Sequence, residues 1–71
     1  MVKTLIILVL LFDGTLLKEP LHFQVEVSVH DCLAYGDMQR EAIAAHSWDD
    51  PRGSGWYLND GRGTVQGFIC E

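Results

Sequence analysis

Positive charge is scarce in this 71-residue chain: two lysines and three arginines face ten carboxylates, for a formal net charge of −5. Lys3 and Lys18 flank the N-terminal apolar run, and from Glu19 onward only Arg40, Arg52 and Arg62 oppose nine acids. A nucleic-acid ligand needs clustered Lys and Arg to displace counterions, so no nucleic-acid partner is expected. An anionic membrane surface is disfavoured for the same reason, leaving membrane contact only through residues 1–17. No apolar run approaches the ~20 residues of a bilayer-spanning helix. There is no C-x-x-C, and His22, His30 and His46 form neither H-x-x-x-H nor H-x-H. Thiol redox chemistry and metal ligation therefore have no spacing to rest on, and no cofactor or metal is expected. A chain this short buries only about 60% of its unfolded surface, so its core is marginal without a cross-link or a partner.

What the chain does have begins with LIILVLLF, an unbroken apolar octet from Leu5 to Phe12. Met1-Val2-Lys3-Thr4 before it completes the outline of a secretory signal, a short positive region followed by about 7–15 apolar residues. The segment FDGTLLKEP lacks the paired small residues of a cleavage site. Residues 1–17 are thus expected to be a signal or membrane-anchor segment, with residues 18–71 as the folded domain. The same residues also read as a buried first strand ending in an Asp-Gly turn. LLFDGTLL is similar, too, to the nucleophile strand of haloacid-dehalogenase-type phosphatases, D-x-D-G-T. Asp13 would stand in the acid/base place, but Leu11 stands where the nucleophile belongs. Covalent catalysis needs an ionisable nucleophile, so that similarity carries no activity.

After Pro20, LHFQVEVSV alternates strictly: Leu21, Phe23, Val25, Val27 and Val29 on one side, polar residues on the other. That period of two predicts a strand with one packed face. Ser28-Val29-His30-Asp31 reads as a capping box, with Val27 and Cys32 placed for a hydrophobic staple. The helix it opens is expected to continue through Ala45. Cys32, Tyr35, Gly36, Met38, Ala42, Ile43 and Ala45 fall on its inner arc, and Asp37, Arg40 and Glu41 lie opposite. Gly36 on the inner arc would let the helix approach the sheet closely. Asp49–Gly55 is a loop by composition, Gly55–Asn59 a strand, Asp60–Gly63 a turn, and Thr64–Cys70 a closing strand. For Trp56, Leu58, Val65 and Phe68 to share one face, Gly67 must sit in a bulge. The fold class expected is α+β: a small β-α-β-β unit, an antiparallel sheet with one helix packed on one face, preceded by an apolar N-terminal segment.

Cys32 and Cys70 are the only cysteines. An even count in a short chain with an export-like start reads as a disulfide. Closing a loop of this length stabilises by about 4 kcal/mol in the chain-entropy description, comparable with the whole contribution of so small a core. Two free thiols in a cytosolic protein are the alternative.

Few other residues suggest chemistry. His46-Ser47 with Asp49 and Asp50 holds the letters of a catalytic triad, but a triad is assembled in space and sequence adjacency does not supply one. The glycines at 61, 63 and 67 lack dinucleotide-binding spacing, and Asn59-Asp60-Gly61 lacks that of a calcium loop. Trp56, Tyr57 and Asn59 combine aromatic faces with an amide, the residue types of a sugar- or peptide-binding platform; the same tryptophan also serves as core.

The segments LIILVLLFDGTL, DCLAYGDMQREAIA and WYLNDGRGTVQGFIC, with the two cysteines, resemble a group of small two-cysteine proteins of bacteria and their phages, particularly marine ones. Members have a signal-like N-terminus and no activity attached to them. The resemblance implies export and the disulfide, and transfers no functional residue. The expected function is that of an exported (periplasmic or extracellular) or envelope-anchored interaction or accessory protein with a protein partner, not an enzyme. A glycan- or peptide-binding module using Trp56, Tyr57 and Asn59 is the alternative, and a small secreted inhibitor or toxin a third reading.

Overall fold

The computed structural model describes residues 1–71. Five strands and one helix follow one another as β1 (Val2–Leu11), β2 (Leu16–Val27), α1 (Val29–Ile43), β3 (Ala44–Ser47), β4 (Gly55–Leu58) and β5 (Gly63–Cys70). The strands form one antiparallel sheet in the order β2-β1-β5-β4-β3, with α1 across one face. The α+β class is as expected, but two strands more than the expected β-α-β-β take part.

The first addition is the apolar octet. Residues 1–17, expected to stand apart from a domain at 18–71, contribute β1, its hairpin turn and the start of β2. β1 pairs with β2 on one side and β5 on the other. β1 is an interior strand, paired along both of its edges, while only one of its faces lies under the helix. Leu5, Ile7 and Val9 point under the helix and are buried; Ile6 and Leu8 point to the other face and are half-buried. LLFDGTLL is the β1–β2 turn. Phe12-Asp13-Gly14 forms a three-residue loop, closed by the Leu11 N–H donating to the Thr15 carbonyl at 2.8 Å. Gly14 takes φ +93°, the left-handed position such a loop requires. The Asp13 carboxylate accepts from the Thr15 backbone N–H at 2.8 Å, and this bond holds its pKa below the ordinary value. Asp13 is a turn residue.

The second addition is β3. The helix ends at Ile43, two residues before the expected stop, and Ala44 is already extended at φ −143°. Alanine favours helix, but Ala44–Ser47 pairs with β4 and the Asn59 N–H donates to the Ile43 carbonyl at 2.9 Å. Sheet pairing overrides the propensity.

The helix start is as the capping box implies: Ser28 Oγ accepts from the Asp31 N–H at 3.0 Å. Its packed stripe is narrower than expected. Only Cys32 and Gly36 are fully buried, while Tyr35, Met38, Ala42 and Ala45 are exposed. One helix on a five-stranded sheet touches it along a single i, i+4 line, so residues 100° away remain in water. Arg40, expected on the outer side, lies on this line with its guanidinium carbon 4.4 Å from the Trp56 ring centroid. A Cβ on Gly36 would stand 2.6 Å from Cδ2 of Phe68, so glycine is what permits the close approach. In β5, Leu8 pairs with Gly67 and Val9 with Val65, leaving Gln66 as the extra residue of a bulge. Val65 and Phe68 consequently both face the helix.

The core comprises Val2, Leu5, Ile7, Val9, Cys32, Ala44, Leu58 and Val65. Cys32 and Cys70 form a disulfide, their Cα atoms 6.3 Å apart. It joins the first turn of α1 to the end of β5. Next to it, Glu71 exchanges backbone hydrogen bonds with Thr4 at 2.9 Å in each direction. A disulfide fits a non-cytoplasmic location. No helix is long and apolar enough to cross a membrane.

Candidate functional site

The most organised cluster of polar and aromatic groups sits where the β1–β2 turn meets the β3–β4 loop. Asp50-Pro51-Arg52-Gly53 makes a tight turn in which the Asp50 carboxylate accepts three times from Arg52. The backbone N–H donates at 2.9 Å, Nε at 3.0 Å and Nη2 at 3.2 Å. The guanidinium is thereby held flat, its central carbon 4.0 Å from the Phe12 ring centroid and 5.0 Å from that of Tyr57. The two rings lie 6.2 Å apart, and the Tyr57 hydroxyl donates to the Gly53 carbonyl. An arginine is suited to this arrangement because its planar fork pairs with a carboxylate while its face lies on an aromatic ring.

The electrostatics follow from the pairing. Hydrogen bonds from Arg52 stabilise the ionised form of Asp50 and hold its pKa at about 2. The same carboxylate raises the pKa of Arg52. Partial desolvation, reinforced by the Asp50 charge, raises that of Tyr57. The ion pair cancels its own charge, so the cluster offers no free cation to a phosphate. A cleft of about 290 Å³ opens beside it, lined by Phe12, Ser47, Asp50, Arg52, Tyr57 and Asn59. Two aromatic edges, an amide, a hydroxyl and a paired carboxylate suit a neutral ligand with alternating CH and OH or NH groups.

Of the three residues expected to form a platform, the structure brings two together. Tyr57 and Asn59 line the cleft; Trp56, one residue from Tyr57 on β4, points to the opposite face of the sheet. Trp56 lies half-buried between Arg40 and His46, whose ring centroid is 5.4 Å away. His46 in turn contacts the exposed Trp48 at 4.2 Å, and Asp37 holds the Arg40 Nη2 at 2.8 Å. Alternation along a strand forbids coplanar rings at consecutive positions. The residues that replace Trp56 beside the cleft are Phe12, Asp50 and Arg52. Asp50 and Arg52 carried a legible signal, an acid two residues before an arginine across a proline; Phe12 did not, because its contact is made across the fold.

Groups for catalysis do not converge. Adjacent on β3, His46 and Ser47 point to opposite faces, His46 toward Trp56 and Ser47 into the cleft. His22 meets Thr4 Oγ1 at 3.2 Å through Nδ1 on the other side of the molecule. No three His, Cys, Asp or Glu side chains form a metal-binding group. No family model matches the chain, and neither the curated proteins nor the solved structures contain a significant match to it.

Proposed function

We propose that this chain is an exported interaction or accessory protein of the cell envelope or its surroundings, without catalytic activity. The disulfide between Cys32 and Cys70 carries the reading. A bridge from the fully buried Cys32 to the partly buried end of β5 belongs in an oxidising compartment, where it persists and where so small a fold needs it. An apolar sheet face without a cover is the mark of a binding surface, and this molecule has one. Because β1 is central to the sheet, the mature protein keeps residues 2–11. Intact-mass analysis after cell fractionation tests the reading. It should recover, outside the cytoplasm, a species that retains β1 and is two protons lighter than the reduced chain. A cytosolic protein with two alkylatable thiols would overturn it.

A second reading, binding of a glycan or short peptide, is supported by the cleft between Phe12, Tyr57 and Asn59. Here Tyr57 and Phe12 supply the aromatic edges and Asn59 the amide. Titration with neutral oligosaccharides and short peptides, followed by NMR, should shift the Phe12, Tyr57 and Asn59 resonances together. Shifts confined elsewhere, or lost equally in a Trp56 variant, would rule this cleft out.

A further inference from the structure

β2 is an edge strand with two unlike halves. Leu16–Pro20 carries Lys18, Glu19 and Pro20, and β3 at the opposite edge has only four residues. Charge, proline and short length are devices that keep other strands off a sheet edge. Leu21–Val27 carries neither lysine nor proline, and lies between Pro20 and the helix cap Ser28. Its pairing within the molecule is also incomplete. Val2 pairs with Val27 and Thr4 with His22, so Phe23–Glu26 stands opposite Lys3 alone, without a register partner on β1. Within this stretch Val25 is 70% exposed, whereas Leu21, Phe23 and Val27, the other apolar residues of the alternation, pack against the core.

We infer that the same stretch of a second copy of the chain pairs with this one, antiparallel about a two-fold axis at Gln24, joining two five-stranded sheets into one. The second copy is the partner that the proposed interaction role calls for, and the assignment rests on that reading. The bounds of the stretch and its residue types agree on the register. Pro20 and Ser28 make Gln24 the midpoint of the open edge. A two-fold axis there sets Leu21 against Val27, His22 against Glu26 and Phe23 against Val25 of the second copy, each contact occurring twice.

Directly opposed side chains stand on one face of the sheet, their Cβ atoms about 4.5–5.5 Å apart. On the helix side, each exposed Val25 is laid against the Phe23 ring of the other chain, beside Tyr35, which meets Phe23 edge-on at 5.6 Å. On the other side, His22 uses Nδ1 on Thr4 Oγ1 at 3.2 Å. With the Thr4 hydroxyl donating there, the ring proton sits on Nε2, which donates to the Glu26 carboxylate of the second copy. Moving the axis by one residue destroys this match: about Phe23, Glu26 would face Pro20, and about Val25 it would face Gln24. The stretch carries both halves of the polar pair at mirrored positions, and that complementarity singles out a copy of this chain.

The contact is one strand long and smaller than a standard ~1,600 Å² interface, so association is weak and concentration is the variable to change. The test uses the full chain with its disulfide intact. Sedimentation equilibrium should move from the 8.0 kDa chain mass toward twice that value by about millimolar concentration. The Phe23–Glu26 amides should gain protection from hydrogen exchange over the same range. Val25→Lys, at a side chain that reaches water in a single chain, should weaken association about 10-fold, because the opposed pair occurs twice. His22→Glu should do the same by setting carboxylate against carboxylate, and adding Glu26→Lys to it should restore the wild-type value. Should Val25→Lys lose its near-ultraviolet circular dichroism, the charge-swapped pair alone decides. A mass of one chain at the highest concentration overturns the inference, as does a dimer whose protected amides lie outside Leu21–Val27. A charge-swapped variant that associates no more tightly than His22→Glu also overturns it. A monomer still recovered outside the cytoplasm with its disulfide would leave the broader proposal standing.

Discussion

On one side of the sheet Leu5, Ile7, Val9 and Val65 lie beneath α1 and are nearly dry. On the other, Ile6 and Leu8, their neighbours on the same strand, keep part of their surface in water, and Leu10, Leu16 and Ile69 keep much of it. The residue types are the same on both sides. What differs is the cover, and the cover is held in place by one covalent bond, one capping residue and one glycine. Burial here is decided by where the helix can lie, and hydrophobicity alone does not predict it.

The largest effect should come from the covalent bond. Replacing Cys32 and Cys70 by serine, or reducing them, should cost about 4 kcal/mol, enough to unfold a domain of this size at ambient temperature. Urea denaturation with and without reductant measures it. An unchanged midpoint would mean that α1 is held to the sheet by packing alone. Next come the two faces themselves. Leu5→Ala, at a fully buried site, should cost about 2–5 kcal/mol. Leu16→Ala on the open face should stay within about 0.5 kcal/mol. Similar losses at both sites would show that the second face is covered as well. Gly36→Val should cost about 1–3 kcal/mol, since its side chain would meet the Phe68 ring. Ser28→Ala should cost about 1 kcal/mol through loss of the Asp31 N–H acceptor; both are read from thermal unfolding.

The parts of this fold that were legible in the sequence are those written in local chemistry. The Ser28 cap, the alternation in β2, the loop around Pro51 and the bulge near Gly67 each follow from residues a few positions apart. β1 was ambiguous because an apolar octet satisfies a signal segment and a doubly flanked strand equally, and its pairing with β5, far away in sequence, is not written in local residues. β3 was hidden because Ala44-Ala45 is good helix sequence until β4 lies alongside it. The cleft was half legible. Tyr57 and Asn59 stood out by type, whereas Phe12 reaches them through the hairpin turn, and Trp56 is removed by the alternation of its own strand. Arg40 misled because an arginine on a helix normally faces water, and here its guanidinium stacks on Trp56.

The smallest effect concerns the loop cluster, which is tied together by local hydrogen bonds and not by the core. The Asp50 carboxyl, displaced from 3.8 to about 2 by Arg52, binds fewer protons in the folded protein than in the unfolded chain. Its contribution to stability is therefore full above pH 3.8 and is lost as the pH falls through about 2. Arg52, the partner of Asp50, is largely solvent-exposed, so this contribution is small and is best followed at the site itself. An NMR titration of the Asp50 side-chain carbon should show a midpoint near 2, and Arg52→Gln should return it toward 3.8. The Phe12 and Tyr57 ring resonances should move in the same titration, because protonating Asp50 frees the guanidinium they enclose. If Arg52→Gln left the Asp50 midpoint in place, the ion pair would not be what organises the cleft. If it moved the midpoint while β1 and α1 kept their amide protection, the loop cluster would be shown to sit on the sheet without supporting it.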